Sequence, residues 1–227
     1  MKNLCLFDLD GTLIDPYTAI TKGVQHAIHA MGFDAPDRNV LTRFIGPPLR
    51  DSLWEINPEF TDKDIEDIVV KYREYFIEYG IYENHLYPGV IEMLSSLKAA
   101  GLPLSIATSK WKVSAQKITE YLKIDHYFDY IIGCEADGTR GRKAEVISHV
   151  LSLYGHESSE NIGNENSLKP IMIGDTKYDI IGARETNVPC IGITWGYGSK
   201  EELQAEEPWL IVDTMNELCD ALMGLSR

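Results

Sequence analysis

Apolar residues gather along this chain in six short runs, at 4–7, 103–107, 130–134, 170–174, 189–193 and 209–212. The runs are continuous rather than alternating, so each reads as a strand buried on both faces. Between most of them, apolar positions recur every three or four residues. In 88–100, Pro88 lies near the first turn, Val90, Met93, Leu94 and Leu97 form the stripe, and Gly101 ends it. A similar stripe runs from Val113 through Ala115 and Ile118 to Leu122. Strand and helix alternating in this way predict a parallel sheet with helices on both faces.

One interval interrupts the alternation. From about Asp15 to His85 only helical patterns occur. The first carries Ala19, Ile20, Val24, Ala27, Ile28 and Met31 before Gly32. Another starts at Thr61, a residue suited to cap a helix, and runs through Ile65, Ile68, Val69, Tyr72, Phe76 and Tyr79 to Gly80. The expected fold is therefore α/β: a Rossmann-like parallel sheet core, 1–14 and 86–227, with an all-helical cap domain, 15–85, inserted after the first strand. Asp15-Pro16 and Tyr87-Pro88-Gly89 are the expected hinges. The polar stretch from Gly155 to Lys169 reads as a surface loop, in which Ser158, Ser159 and Asn161 need no functional role.

Charge narrows the functional classes. The formal net charge of −14 disfavours nucleic acid and anionic membranes as partners. An anionic substrate would need a local positive feature, such as a metal or a placed lysine. No apolar run approaches membrane-spanning length, and Leu4 to Phe7 is too short for a secretory leader and is followed at once by aspartates. Cys5, Cys134, Cys190 and Cys219 are scattered, with no Cys-x-x-Cys. Neither a disulfide framework nor a zinc site is indicated, and a cytoplasmic location is expected.

The chemistry concentrates where the runs end. The first stops in Asp8-Leu9-Asp10-Gly11-Thr12. Residues two apart in a strand face the same way, so both carboxylates can converge at the edge where open α/β sheets bind ligands. Paired carboxylates repel unless a cation or a shared proton compensates, which suggests a divalent metal or an acid beside a nucleophile. Asp-x-Asp alone is equally an ordinary turn. Leu104 to Ala107 ends in Thr108-Ser109-Lys110 just before a helix, where hydroxyls and free N–H groups suit a phosphate oxygen or simply cap the helix. Gly141-Arg142-Lys143 precedes a helix beginning Ala144, Val146, Ile147. A cation there opposes the helix dipole, so an anionic partner would explain it. Spacing leaves open which of Arg140, Arg142 and Lys143 turns inward. Finally, Ile171 to Ile173 leads into Gly174-Asp175 and then Asp179. Asp175 suits Mg²⁺ as a hard oxygen ligand, and Asp179 one turn on can hold a metal-bound water or orient a lysine. Helix capping by Asp175 and dipole complementation by Asp179 are the plainer alternatives.

Together and in order, Asp8-Leu9-Asp10-Gly11-Thr12, Thr108-Ser109, Lys143 and Gly174-Asp175 through Asp179 resemble the four motifs of the haloacid dehalogenase-like superfamily of phosphotransferases. Gly192-Ile193-Thr194-Trp195-Gly196-Tyr197-Gly198 with Glu201-Glu202-Leu203, and Tyr87-Pro88-Gly89-Val90, are similar to its phosphoglycolate phosphatase-like branch. Asp137-Gly138-Thr139-Arg140-Gly141-Arg142-Lys143 resembles a 5′-nucleotidase-like subgroup and favours Lys143 as the motif lysine. The resemblance implies a Mg²⁺-dependent phosphatase acting on a small phosphorylated metabolite. Asp8 would be the nucleophile that forms an aspartyl phosphate, and Asp10 the general acid and base. Mg²⁺ would be held by Asp8, the Asp10 backbone carbonyl and Asp175. Thr108, Ser109 and Lys143 would bind the phosphoryl group, with Gly11, Thr12, Gly174 and Asp179 in support. A sugar-phosphate mutase like β-phosphoglucomutase shares these motifs. A dehalogenase needs neither Asp10 nor a metal, and the intact Lys143 and Asp175 argue against a non-catalytic phosphoaspartate switch.

Substrate choice is expected from the cap. The stiff turn Gly46-Pro47-Pro48-Leu49-Arg50 is its candidate contact, through Gly46, Pro47 and Arg50; helix initiation with a solvated Arg50 explains it as well. Tyr72, Tyr75, Phe76, Tyr79 and Tyr82 sit at helical spacing and are expected in the cap core rather than against a nucleobase. The six histidines show no ligand spacing. A monomer is expected, with a dimer also compatible.

Overall fold

The computed structural model describes residues 2–155 and 168–224. Ser158, Ser159 and Asn161 of the expected surface loop lie outside the described residues. Strand β1 is Asn3–Phe7, β2 Ile14–Asp15, β3 His85–Leu86 and β4 Leu104–Trp111. These are followed by β5 Tyr130–Cys134, β6 Lys169–Gly174, β7 Cys190–Ile193 and β8 Leu210–Val212. Six of them form one sheet in the order β5-β4-β1-β6-β7-β8, every neighbouring pair parallel. β1 is central: Cys5 lies opposite Leu104 on one side and Ile171 on the other. The ladder continues one residue beyond it, where the Asp8 amide donates to the Ile173 carbonyl at 2.9 Å.

Nine helices occur among the described residues. Those between β2 and β3 are α1 Tyr17–Ala30, α2 Leu49–Ile56 and α3 Asp62–Glu78. The rest are α4 Val90–Ala99, α5 Lys112–Tyr121, α6 Lys143–Leu153, α7 Lys177–Glu185, α8 Lys200–Ala205 and α9 Met215–Leu222. Alternating residues of β1 serve opposite faces. Leu4 and Leu6 pack with Val146, Ile147, Ile180 and Ala183 from α6 and α7. Cys5 and Phe7 join the cluster containing Leu94, Ile118 and Leu222 from α4, α5 and α9. Leu4, Leu6 and Phe7 are fully buried, each contributing about 1.5–3 kcal/mol by leaving water. None of the described helices is long and apolar enough to cross a membrane.

In the inserted segment, α1 packs on α3. Gly23 makes this close: a Cβ there would lie 3.0 Å from the Tyr72 ring and 3.2 Å from that of Tyr75. Thr61 caps α3 as expected, exchanging bonds with Asp64 in both directions. Ile20, Val24, Leu53, Ile65, Ile68 and Phe76 belong to the same apolar cluster as Phe7 of the sheet.

Three expectations need correction. The margins of the helical interval are not strand-free, because β2 and β3 pair antiparallel with Ile14 opposite Leu86 and Asp15 opposite His85. Two residues are too few to leave a periodicity. β4 extends past Ala107 to Trp111, with a register shift against β5 in that stretch. Thr108 and Ser109 therefore sit on the strand's irregular extension, and α5 begins only at Lys112. Tyr79 and Tyr82 are 51% and 57% exposed rather than cap core. They follow the last residue of α3, so helical spacing no longer aims them inward.

Candidate active site

The site lies at the carboxyl edge of the sheet, built outward from the end of β1. Just past Asp8 the chain tightens: the Leu9 carbonyl accepts from the amides of Leu13 at 3.0 Å and Ile14 at 3.1 Å. Gly11 has φ +80°, and a Cβ there would lie 2.1 Å from an Asp175 oxygen, so glycine is demanded twice. This turn leaves Asp8 on the ladder and puts Asp10 in the loop, both buried.

The two aspartates meet different cations. Lys110 donates through Nζ to both Asp10 oxygens, at 2.8 and 3.1 Å. The same ammonium stands 4.3 Å from the Phe76 ring centre, so a residue of α3 covers it. Burial pushes the Asp10 carboxyl pKa up, against the pull of Lys110. Lys110 was no candidate from sequence, because an isolated lysine after two hydroxyl residues carries no signal of its own. Its only mark is position, one residue beyond Thr108-Ser109.

Lys143 opens α6 and points inward. Its Nζ lies 2.7 Å from Asp8 Oδ1 and 2.9 Å from Asp179 Oδ1, and donates to the Ala107 carbonyl at 3.1 Å. Arg142 instead meets Glu185, and Arg140 pairs with Glu135. Burial works against the Lys143 charge, but Asp179 and Asp8 outweigh it and raise the ammonium pKa. β6 delivers Asp175, which is fully buried. Its Oδ1 accepts from Thr12 Oγ1 at 3.1 Å and its Oδ2 from the Tyr197 amide at 2.8 Å. Burial, with Asp179 and Asp8 close by, holds its carboxyl pKa well above the usual range.

The capping alternative is corrected for Asp175: the N-cap of α7 is Thr176. Asp179 fills the reciprocal position, its Oδ2 accepting from Thr176 N at 3.1 Å and Thr176 Oγ1 at 2.9 Å. One oxygen thus serves the helix start and the other faces Lys143. Gly174 makes room for it, since a Cβ there would lie 2.2 Å from Asp179 Cγ.

Asp8, Asp175 and Asp179 each place a carboxylate oxygen within 4.8 Å of the others. Asp8 Oδ1 and Asp179 Oδ1 are buried without an aligned hydrogen bond, close as Lys143 is to both. Three clustered carboxylates, two of them paired with one ammonium, fit a hard divalent cation. The Asp10 side chain stands apart from this group, turned to Lys110.

A cavity of about 190 Å³ opens over Asp8 and Asp10. Thr108 and Ser109 line it from the sheet, and Gly46, Pro47, Arg50, Tyr72 and Phe76 from the helical segment. Thr108 is buried, its Oγ1 accepting from the Lys110 amide at 3.2 Å. The Arg50 guanidinium is paired with Glu66 on α3. Gly46 has φ +107°, and a Cβ there would meet Thr176 Cγ2 at 2.9 Å, so this turn seats against Thr176, the residue after Asp175.

Residues 5–193 match the family model described as haloacid dehalogenase-like hydrolase. A 5′-nucleotidase from Pseudomonas aeruginosa is 42% identical over 203 residues, 89% of this chain and 87% of that one. A phosphoglycolate phosphatase from Agrobacterium fabrum is 30% identical over 226 residues, covering 98% and 93%. The crystal structure of a predicted phosphatase from Clostridium acetobutylicum superposes with TM-score 0.89 at 38% identity, covering 99% of each chain. With its parallel sheet, its carboxylate edge and the helical segment above them, the chain belongs to the haloacid dehalogenase-like hydrolase family.

Proposed function

We propose that the protein is a Mg²⁺-dependent phosphatase that hydrolyses a small phosphomonoester through an aspartyl phosphate on Asp8. The observation carrying this reading is the carboxylate cluster at the sheet edge: Asp8, Asp175 and Asp179 place oxygens within 4.8 Å of one another, while Lys143 pairs with Asp8 and Asp179. In this reading residues 15–85 act as a cap domain over a core of 1–14 and 86–227.

An Asp8 carboxylate oxygen attacks phosphorus, and the bond from phosphorus to the substrate's alcohol oxygen breaks. Asp10 gives its proton to that oxygen. As a carboxylate, held by Lys110, it then takes a proton from the water that attacks the aspartyl phosphate. Inorganic phosphate departs and Asp8 is restored. Thr108, Ser109 and Lys143 bind the transferring phosphoryl oxygens, and Asp179 orients Lys143. Asp8, Asp175 and the Asp10 carbonyl would hold the Mg²⁺, which when bound neutralises charge on the phosphate oxygens.

The substrate class rests on the cavity and the relatives. Tyr72, Phe76 and Trp111 also line the cavity, with Phe76 over the Lys110 ammonium that holds Asp10, and give an apolar wall for the leaving group. The names of the relatives favour phosphoglycolate or a nucleoside monophosphate. A phosphate-release screen over phosphoglycolate, nucleoside 5′-monophosphates, pyrophosphate and sugar phosphates, with Mg²⁺ or with EDTA, tests it. Release from at least one monoester is expected with Mg²⁺ and not with EDTA. Equal release in both would overturn the metal role. Conversion of β-glucose 1-phosphate to glucose 6-phosphate with little free phosphate would replace the phosphatase with a mutase.

A further inference from the structure

Tyr197 touches two regions that the phosphatase reading treats separately. Its backbone amide donates to Asp175 Oδ2 at 2.8 Å, while its phenol donates to Asp15 Oδ1. Asp15 belongs to β2, where the chain leaves the sheet for the helical segment. The same Asp15 oxygen accepts the amide of Tyr17, the first residue of α1, at 3.0 Å. One residue therefore links a proposed metal ligand, through its backbone amide, to Asp15 at the start of the first inserted helix, through its phenol.

The loop carrying Tyr197 has no slack. A Cβ on Gly196 would lie 2.3 Å from Asp175 Cβ, and one on Gly198 would lie 2.1 Å from the Asp175 carbonyl oxygen. Trp195 Nε1 donates to the Thr12 carbonyl at 3.1 Å, and Thr12 Oγ1 holds the other Asp175 oxygen at 3.1 Å. Asp175 is thus gripped on both oxygens by groups that also fix this loop. A carboxylate that shifts to meet a cation must carry the loop with it, because interlocked packing moves as a unit.

We infer that Tyr197 is a positioning residue that couples divalent-cation binding at Asp175 to the position of the helical segment. The inference rests on the metal site of the phosphatase reading. The coupling is reciprocal: whatever draws the segment toward the sheet also tightens cation binding.

Tyr197→Phe separates the two contacts, since it deletes the phenol–Asp15 bond and keeps the amide–Asp175 bond. Mg²⁺ binding is measured by titration calorimetry without substrate, and hydrogen–deuterium exchange is followed over 13–20 and 84–90 with and without Mg²⁺. In the unaltered protein, saturating Mg²⁺ should slow exchange in these segments by about fivefold or more, the lower end of ordinary coupling. Tyr197→Phe should bind Mg²⁺ within about threefold of the unaltered affinity and lose the slowing. Asp15→Ala should behave alike, and Asp15→Asn, which keeps an acceptor oxygen, should restore most of it. Slowing that persists in Tyr197→Phe, or that is absent from the unaltered protein despite Mg²⁺ binding, overturns the coupling alone. Failure of the unaltered protein to bind Mg²⁺ overturns the metal reading and the coupling with it.

Discussion

Asp8 and Asp10 stand two residues apart yet face different ammonium groups, Lys143 and Lys110 respectively. That division suits two roles, since a nucleophile must stay ionised while an acid and base must exchange its proton. Asp8→Asn should reduce Mg²⁺-dependent phosphate release at least about 10³-fold, because an amide oxygen is a poor nucleophile; ordinary turnover by this variant would remove Asp8 from the role. Asp10→Asn should lower kcat/KM for an alkyl phosphate by about 10²–10⁴-fold, the range of general acid–base catalysis. The loss should be smaller with p-nitrophenyl phosphate, whose leaving group needs little protonation, and equal losses on both would contradict the acid role. Lys143→Met should cost the metal-free protein about 3–5 kcal/mol in urea unfolding, because it leaves buried carboxylates without their counter-ion. The inward turn of Lys143, left open against Arg140 and Arg142, was decided by the seat of α6 on α7. A Cβ on Gly182 of α7 would lie 2.7 Å from Lys143 Cβ, so the two helices meet at that residue.

Elements position these residues through close backbone approach. The turn after β1 and the loop after β7 both press on Asp175, and each does so through a glycine, Gly11 and Gly196. Gly196→Ala would set a methyl group 2.3 Å from Asp175 Cβ. It should destabilise the fold by about 1–3 kcal/mol, as overpacking does, and weaken Mg²⁺ binding by displacing the carboxylate. Calorimetry that finds unchanged Mg²⁺ affinity in a folded Gly196→Ala protein would show that this approach is not needed. Both glycines were visible in the sequence within family-like segments, but their reason was not, because the Asp175 atoms they avoid belong to a distant part of the chain, just past the end of β6. β4 teaches the same lesson in reverse. Its continuous apolar run ends at Ala107, so pattern alone stops the strand there and gives the next three residues to a helix start. The real strand runs on to Trp111, which carries Lys110 to Asp10 and Trp111 into the cavity wall.

At the scale of the whole molecule, burying several carboxyl groups at one edge makes stability depend on pH and metal together. The carboxyls of Asp10, Asp175 and Asp179 are all raised, each chiefly by burial. The folded protein therefore holds their protons more tightly than the unfolded chain, whose carboxyls titrate at about 3.9. Their contribution to stability falls as pH rises from there through the raised folded values. A bound cation offsets this penalty where the groups are ionised. Mg²⁺ at one hundred times its dissociation constant should add about 2.7 kcal/mol. At a fixed Mg²⁺ concentration, the gain in urea unfolding should be larger at pH 8 than at pH 5. A gain that is absent, or larger at pH 5, would contradict a cation among these carboxylates.

The pattern of apolar runs was sufficient for the parallel sheet, its helical layers and the long helical interval, because burial imposes local periodicity that any window of the chain records. It also placed Asp8 and Asp175 just past strand ends, and Thr108 and Lys143 between a strand's apolar run and the next helix, since in a parallel sheet every such end reaches the same edge. Tertiary structure alone decided which groups meet there. Lys110 reaching Asp10, Asp179 turning one oxygen to Thr176 and the other toward Lys143, and Tyr197 joining Asp175 to Asp15 are contacts between distant segments or between side-chain orientations. They depend on where whole elements come to rest, and no local repeat in the chain encodes that.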